Sequence, residues 1–450
     1  MDDDQAQSLN LLEGLIRRAR AAGADAVDAI LVDGVSLAHA QRLGRLERLE
    51  RAESRDLGLR VFVGRRQAVV STTDLQPGML DQLVERALAM VKTVPEDPYC
   101  GLAQPEALAD TGNLPDLDGC DPVEPPTETL IERARRTEDA ARAVDGVTNS
   151  EGAEASWSRS GVALVGSNGF AGAYTVTRHA IGVSVLAGTG TAMERDYEFS
   201  TTVHGKDLEA PEEVGRKAGE RAVKRLGPRK AASMRVPVIY DPRVAGGVIR
   251  HLAAAINGAA IARGTSFLKD RMGERVFAAG VSVVDDPHRR RGLRSTPFDG
   301  EGVKNRRLDV IDHGQLTTWI LDSRSARQLG LESTGHATRG TSAPPSPGAS
   351  NLYLGPGEPT PEALIADIKA GFYVSELLGF GVNQVTGDYS RGAGGFWIED
   401  GAIAYPVTEL TIAGNLKDMF ANLSAANDLE FRYAVNAPTL RIDGMTVAGR

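Results

Sequence analysis

The residue types able to hold a metal or move a proton are thinly spread along this chain. Its seven histidines stand at positions 39, 179, 204, 251, 288, 313 and 336, and no two lie within five residues of each other. A metal-dependent hydrolase needs imidazoles or carboxylates to hold the ion and a carboxylate to activate water. The short motif His-Glu-x-x-His is absent, so ligands would have to converge from distant segments. The densest cluster is Asp285, Asp286 and His288 around Pro287, with Asp299 and Glu301 following. Such a set could clamp a divalent ion in an autonomous hydrolase. It is also ordinary turn chemistry, in which carboxylates accept backbone hydrogen bonds, and the turn is the preferred reading. No Gly-x-Ser-x-Gly elbow and no Walker loop occurs, and Gly188-Thr189-Gly190 sits among strands with no helix to receive a phosphate.

His251 has a better-defined setting. Residues 236–240 read as a strand, and Asp241-Pro242 then opens a helix with an N-cap carboxylate and a proline at the first helical position. Val244, Val248, Leu252, Ala255 and Ala259 recur as one apolar stripe, which places His251 beside the buried face. The small residues Gly246, Gly247, Ala253 and Ala254 on this helix would permit close packing, either inside the chain or across a subunit interface.

Around this helix the chain divides by pattern. Residues 8–22 form an amphipathic helix, followed by strands over 26–32, 35–51, 57–63 and 67–73 and a helix over 77–90. Seven prolines between positions 93 and 127 rule out regular structure there and mark a connection lying over the surface. A helix starting at Thr127 precedes strands over 146–158, 161–167, 171–186 and 192–204, with Ser167-Asn168-Gly169 as a hairpin turn, and a helix over 211–226. The last segment is mainly β: a strand over 281–284, a loop over 340–350, a strand from Asn351 through Leu352 and Tyr353 to Leu354, a helix over 360–378, a glycine-rich run over 387–395, a helix over 416–423 and a strand over 439–442. No long alternation of strand and helix supports a doubly wound sheet. The fold class is α+β: an N-terminal α/β sandwich over 1–95, a Pro-rich connection over 96–126, a middle α+β domain over 127–230, and a larger β-rich C-terminal domain over 231–450.

Composition narrows the function classes. The chain has 42% hydrophobic and 25% charged residues, as folded proteins do, and a formal charge of -9 that disfavours general nucleic-acid binding. The basic runs at 224–230 and 288–294 are short and read as a solvated linker and loop. Cys100 and Cys120 make neither a disulfide framework nor a zinc ribbon. The acidic start MDDDQAQS is unlike a secretory leader, and no apolar run approaches the ~20 residues that span a bilayer. These features point to the cytoplasm and away from membranes.

Several separated motifs near the C-terminus carry a specific resemblance. The series FLKDRMGERVFAAGVSVVDDP, STPFDGEGVKNRRLDVIDHGQL, SARQLG, SPGASNLYLGPG and VTGDYSRGAGGFWIEDGAIAYPVTELTIAGNL, from about residue 234 onward, resembles the TldE (PmbA) branch of the TldD/PmbA proteins. The resemblance implies a subunit of a heterodimeric zinc metalloprotease whose TldD-like sister carries the metal. It implies substrates that are unfolded proteins or peptides, including peptide-antibiotic precursors and antitoxins. The family's older name, modulator of DNA gyrase, reflects the effect of such a peptide, and a gyrase-linked regulatory protein is the third reading.

The metal helix of the TldD branch carries His-Glu-x-x-x-His. Placed on this chain, those positions are His251, Leu252 and Ile256, and only the first has a ligand atom. No zinc or other cofactor is expected in this chain, and zinc is expected in the partner. Leu252 and Ile256 are expected in the core, and His251 in a structural role. The strand of Asn351, Leu352, Tyr353 and Leu354, and the run containing Asp388, Tyr389, Ser390, Arg391 and Gly392, are candidates for holding an extended peptide through backbone hydrogen bonds. In isolation the chain could also pair with itself.

Overall fold

The computed structural model describes residues 3–449. Its first half is built on helix α1 (Asp3–Ala21), strands β1 (Ala26–Arg42), β2 (Arg45–Val63) and β3 (Arg66–Thr72), helices α2 (Pro77–Val91) and α3 (Thr127–Arg142), strands β4 (Val147–Gly166), β5 (Ala171–Ala187) and β6 (Glu194–Thr202), and helix α4 (Pro211–Lys224). The helices carry their own boundary signals. Asp3 and Asp4 open α1 and Arg18 and Arg20 close it, complementing the helix dipole, while prolines start α2 and α4.

The six strands form one antiparallel sheet in the order β3-β2-β1-β4-β5-β6, so the segments before and after the Pro-rich connection share a sheet through the β1–β4 pairing. Helices α1 and α2 bury Leu12, Leu15, Leu80 and Leu83 against Leu31, Leu57 and Leu59. Farther along, α3 and α4 bury Leu130, Ala134, Val214 and Ala218 against Trp157, Ile181 and Val183.

The expected strand boundaries change here. Strand β1 runs unbroken through Asp33-Gly34, and the reversal comes at Leu43-Gly44, not at a break after Val32. Leu43 and Gly44 have φ of 52° and 73°, the left-handed pair that a two-residue hairpin requires. Leucine is a poor turn signal, so the pattern read through it. The Ser167-Asn168-Gly169 turn joins β4 to β5 as expected, with Gly169 at φ 96°.

The Pro-rich connection carries no α-helix or strand and is pinned to the second half. Arg324 bonds Asp97, Arg327 donates to the carbonyls of Tyr99 and Gly101, and Arg291 bonds Asp118.

The second half contains β7 (Met234–Tyr240), α5 (Pro242–Ala255), α6 (Gly258–Ala262), β8 (Val283–Asp285), β9 (Leu308–Asp312), β10 (Gln315–Leu316), α7 (Ser323–Leu329), β11 (Ala337–Thr338), β12 (Ser346–Pro347), β13 (Leu352–Leu354), α8 (Pro361–Ile365), β14 (Ala370–Leu378), β15 (Asp388–Glu399), β16 (Ala402–Asn415), α9 (Leu416–Ala421), β17 (Leu423–Ala425), β18 (Val435–Asn436) and β19 (Leu440–Ala448). Strand β7 pairs in parallel with β14 and antiparallel with β19, β14 continues to β15 and β16, and β16 closes on β19 through Thr411, Ile412 and Ala413. Five strands thus close into a ring. A second sheet, β10-β9-β8-β13-β18, shares a single core with it, and α5 contributes Val248, Ile249 and Leu252 to that core.

The helix expected over 360–378 is a correction. Only α8 is helical, and Ala370–Leu378 is a barrel strand. Phe372 and Val374 are fully buried between β7 and β15, and a Cβ at Gly371 would press on the Pro237 carbonyl at 3.0 Å, so close strand packing overrode the helical spacing. The α+β class and the β-rich C-terminal region stand as expected.

Candidate functional site

Helix α5 is held at its start by Asp241, which accepts from the Arg243 amide at 2.9 Å and from the Tyr373 hydroxyl at 2.9 Å. Arg243 in turn donates to Asp196 on β6 at 2.8 Å, tying the helix to the first sheet. The buried stripe is Ala245, Val248, Ile249, Leu252 and Ala255. Leu252 and Ile256 have no exposed surface. A leucine cannot activate water and an isoleucine cannot ligate an ion, so of the three positions only His251 offers a metal-binding atom. Among the described residues, no three His, Cys, Asp or Glu side chains gather as a metal site. The residues present therefore do not fit a zinc ion on this helix.

His251 lies on the neighbouring stripe, half-buried like Gly247, with the exposed Ala254 beyond it. Its ring meets Tyr389 of β15 edge to face, with centroids 5.9 Å apart. Burial first, then the charges of Arg391 and Arg250, push its pKa down to about 4. The imidazole is thus neutral at physiological pH. Tyr389 stands 3.5 Å from the Tyr240 hydroxyl, deep in the barrel. The His251 helix and the glycine-rich strand are thereby brought together, although His251 and Tyr389 lie 138 positions apart in sequence.

The strand candidates fare differently. Both edges of β13 are taken, by β8 on one side and β18 on the other, and the Asn351 side chain is spent on Ser295, Asp286 and the Arg294 amide. The start of β15 is likewise enclosed: Asp388 through Gly392 pair with β16, while the Ser390 amide donates to the Gly381 carbonyl at 2.7 Å. Asp388 accepts from Thr386 and Asn415. Neither stretch has an open edge for an extended peptide. A Cβ at Gly395 would fall on the Tyr373 carbonyl, so part of the glycine run serves a strand irregularity between β14 and β15.

What β15 does present is side chains. Arg391 donates to the Leu378 carbonyl at 3.2 Å and lies 6.0 Å from the ring of Phe380, which is completely exposed. Leu378 and Val385 nearby are more than half exposed. Sequence reasoning missed these three residues because it placed Leu378 at the end of a helix. The flanking glycines in Gly379-Phe380-Gly381 were the available signal.

The small residues of α5 split between two surfaces. A Cβ at Gly246 would meet the Val435 carbonyl at 2.7 Å, so this glycine serves internal packing against β18, and Ala253 packs partly on the core. Gly247 has open space, and Ala254 is exposed.

The acidic cluster is absorbed by the fold. Asp285 is fully buried and accepts from His336 Nε2 at 2.8 Å, from the Ser350 amide at 2.8 Å and from the Ser350 hydroxyl. Asp286 caps its own turn by accepting from the His288 amide, and His288 pairs with Asn305 at 2.7 Å. Asp299 accepts from the amides of Glu301, Val303 and Ala337, and Glu301 accepts from the Ser323 amide. Burial, and then the charge of Glu301, push the Asp299 carboxyl up to about 7. For His336 burial opposes the charged ring, but the hydrogen bond and charge of Asp285 outweigh it and hold its pKa above the ordinary value. A cavity of about 240 Å³ adjoins this cluster, lined by Tyr174, Phe298, Asp299, His336, Arg339 and Ser350. Asp285 accepts from both Ser350 and His336, so no imidazole is placed to take a proton from the serine.

Three domain models of one family cover the chain: the PmbA/TldA metallopeptidase domain 1 over residues 27–91, the central domain over 120–226 and the C-terminal domain over 233–449. The chain belongs to the PmbA/TldD metallopeptidase family. It is 40% identical to the metalloprotease PmbA of Escherichia coli O157:H7 over 412 residues, 91% of this chain and 89% of that one. With the PmbA homolog of Haemophilus influenzae it shares 37% over 441 residues, 96% and 94% of the two chains. Among solved structures it resembles a putative modulator of DNA gyrase from Bacteroides thetaiotaomicron, with a TM-score of 0.89, 25% identity and 98% of each chain covered. The fold of TldE from Thermococcus kodakarensis matches with a TM-score of 0.87 at 20% identity, covering 98% of this chain and all of that one. No helix among the described residues is long and apolar enough to cross a membrane.

Proposed function

We propose that this chain is the non-catalytic subunit of a two-chain cytoplasmic metallopeptidase, paired with a TldD-like sister that holds zinc. Its work is assembly and the handling of unfolded proteins or peptides, including peptide-antibiotic precursors and antitoxins. The observation that carries this reading is the burial of Leu252 and Ile256, which fills with hydrocarbon the positions where a metal helix needs a glutamate and a histidine. The surface of Phe380, Arg391 and His251 supports the handling role: an exposed aromatic ring beside a cation suits peptides of varied sequence better than a sequence-reading pocket would. The outward Gly247 and Ala254 allow a partner or peptide to approach the helix backbone closely.

The autonomous-hydrolase reading draws no support from the acidic cluster, whose carboxylates already accept backbone amides. The test is copurification with a TldD-like chain, followed by cleavage of an unstructured peptide by each chain alone and by the mixture. Cleavage by the mixture only, abolished by chelation, is expected; cleavage by this chain alone defeats the proposal.

A further inference from the structure

The cavity of about 240 Å³ beside the acidic cluster lies where the first sheet meets the second half of the chain. Its floor is hydrocarbon and belongs to the first sheet. Asp28, Ile30 and Val32 alternate along one face of β1, and Leu164 and Val162 of β4 stand directly opposite Ile30 and Val32. The facing wall comes from the second half and is polar, with Arg294, Asp299, His336, Arg339 and Ser350 along it. Arg294 is exposed, so the cavity reaches solvent on that side.

Arg339 is the anomaly in this wall. Its side chain has no exposed surface, and its ion pair is Nη2 to Asp28 at 2.8 Å. Asp28 is already bonded through both oxygens to Arg60. None of the three Arg339 nitrogens makes a hydrogen bond of good geometry among the described residues. Buried guanidinium donors left unmet in this way are costly, and native interiors rarely keep them. Burial lowers the Arg339 pKa and the charge of Asp28 does not fully offset it, as expected of a cation short of partners. The acids nearby are occupied: Asp299 accepts three backbone amides, and Asp285 accepts from His336 and Ser350. Among the lining side chains, Arg294, His336 and Arg339 are basic and Asp299 is acidic.

We infer that this cavity is a binding site for a small monocarboxylate with a branched or aromatic hydrocarbon body, its carboxylate on Arg339 and its body over Ile30, Val32, Val162 and Leu164. A carboxylate meets unpaired guanidinium donors with charge-assisted hydrogen bonds, which a hydroxyl of the same shape does not supply. The volume is below the roughly 300–1,000 Å³ of pockets for drug-sized ligands, so a peptide of several residues does not fit. Floor and wall come from the two halves of the chain, so a ligand seated here contacts both and stabilises the folded state. The inference does not rest on the proposed function.

The test is isothermal titration of the full chain with 3-phenylpropionate and 4-methylpentanoate, with thermal unfolding followed at each ligand concentration. Saturable one-to-one binding of at least one of them is expected, with a Kd below about 1 mM and a Tm that rises with ligand. Two comparisons on the natural chain separate the contributions: 3-phenylpropanol keeps the body without the charge, acetate the charge without the body, and each should bind at least about tenfold more weakly. Val162→Phe fills the cavity from its floor and leaves every charge in place, so it should abolish binding while unfolding cooperatively without ligand. Val32→Phe does the same from the neighbouring strand if the first variant does not fold. A cavity that holds water alone gives no saturable heat with either carboxylate, and that result overturns the inference. So does 3-phenylpropanol binding as tightly as 3-phenylpropionate, or unchanged binding in a folded cavity-filled variant.

Discussion

The rings of His251 and Tyr389 meet edge to face at an interplanar angle of 76°, joining helix α5 to the glycine-rich strand of the barrel. The contact fixes the imidazole against an aromatic surface and beside Arg391, an arrangement that favours a neutral ring. Leu252 on the same helix and Ile256 at its C-cap are fully buried hydrocarbon.

The first expectation concerns protonation. With its folded pKa near 4 and an unfolded value near 6.5, His251 binds fewer protons when folded, so its contribution to stability is present above about pH 6.5 and is lost as pH falls toward 4. Imidazole NMR signals should show His251 neutral throughout pH 5.5–8, with a midpoint well below the ordinary one. Replacing Arg391 with alanine should move that midpoint upward. A midpoint at or above 6.5 in the natural chain contradicts this environment.

A second concerns the core. Leu252→Glu places a carboxylate where no surface is exposed and should lower unfolding stability by roughly 3 kcal/mol or more, without zinc uptake. Leu252→Ala should cost about 2–5 kcal/mol through the cavity left behind. Chemical denaturation with metal analysis measures both. A stable Leu252→Glu chain that takes up zinc would mean that position 252 faces a site.

Much of this arrangement is legible in the sequence, and the failures have physical causes. The Val248 and Leu252 stripe, the Asp241-Pro242 start and the Ser167-Asn168-Gly169 turn are local signals, and each lies where it was expected. Strand β14 was obscured because Ala363, Leu364, Ile365 and Ile368 have helical spacing, and nothing local announces the parallel pairing of Phe372 with Val238. Closure of the barrel depends on Thr411 meeting Ala448, and the Asp285–His336 pair joins residues 51 positions apart. Contacts made across such distances leave no periodicity to read.

The buried Asp285–His336 pair gives a third expectation, of opposite sign to the first. Because His336 is held above its ordinary pKa, its contribution is fully present below about pH 6.5 and is lost as pH rises through the folded value. Asp285→Asn should remove that pH dependence and cost roughly 3–5 kcal/mol, as breaking a buried pair does. Denaturation at several pH values tests it; unchanged pH dependence in the variant refutes the assignment.

The fourth concerns substrate. In the mixed complex, Phe380→Ser and Arg391→Ala should raise KM for an unstructured peptide by roughly threefold to tenfold each, equivalent to about 0.7–1.4 kcal/mol, with kcat little changed. A fall in kcat at constant KM would place these residues in the chemical step instead.

The most direct test of the central claim is zinc content measured together with peptide cleavage on this chain purified alone. The account predicts zinc far below one ion per chain and no cleavage, with activity appearing only when a TldD-like chain is added. One zinc per chain with chelator-sensitive cleavage in the absence of any partner would contradict it.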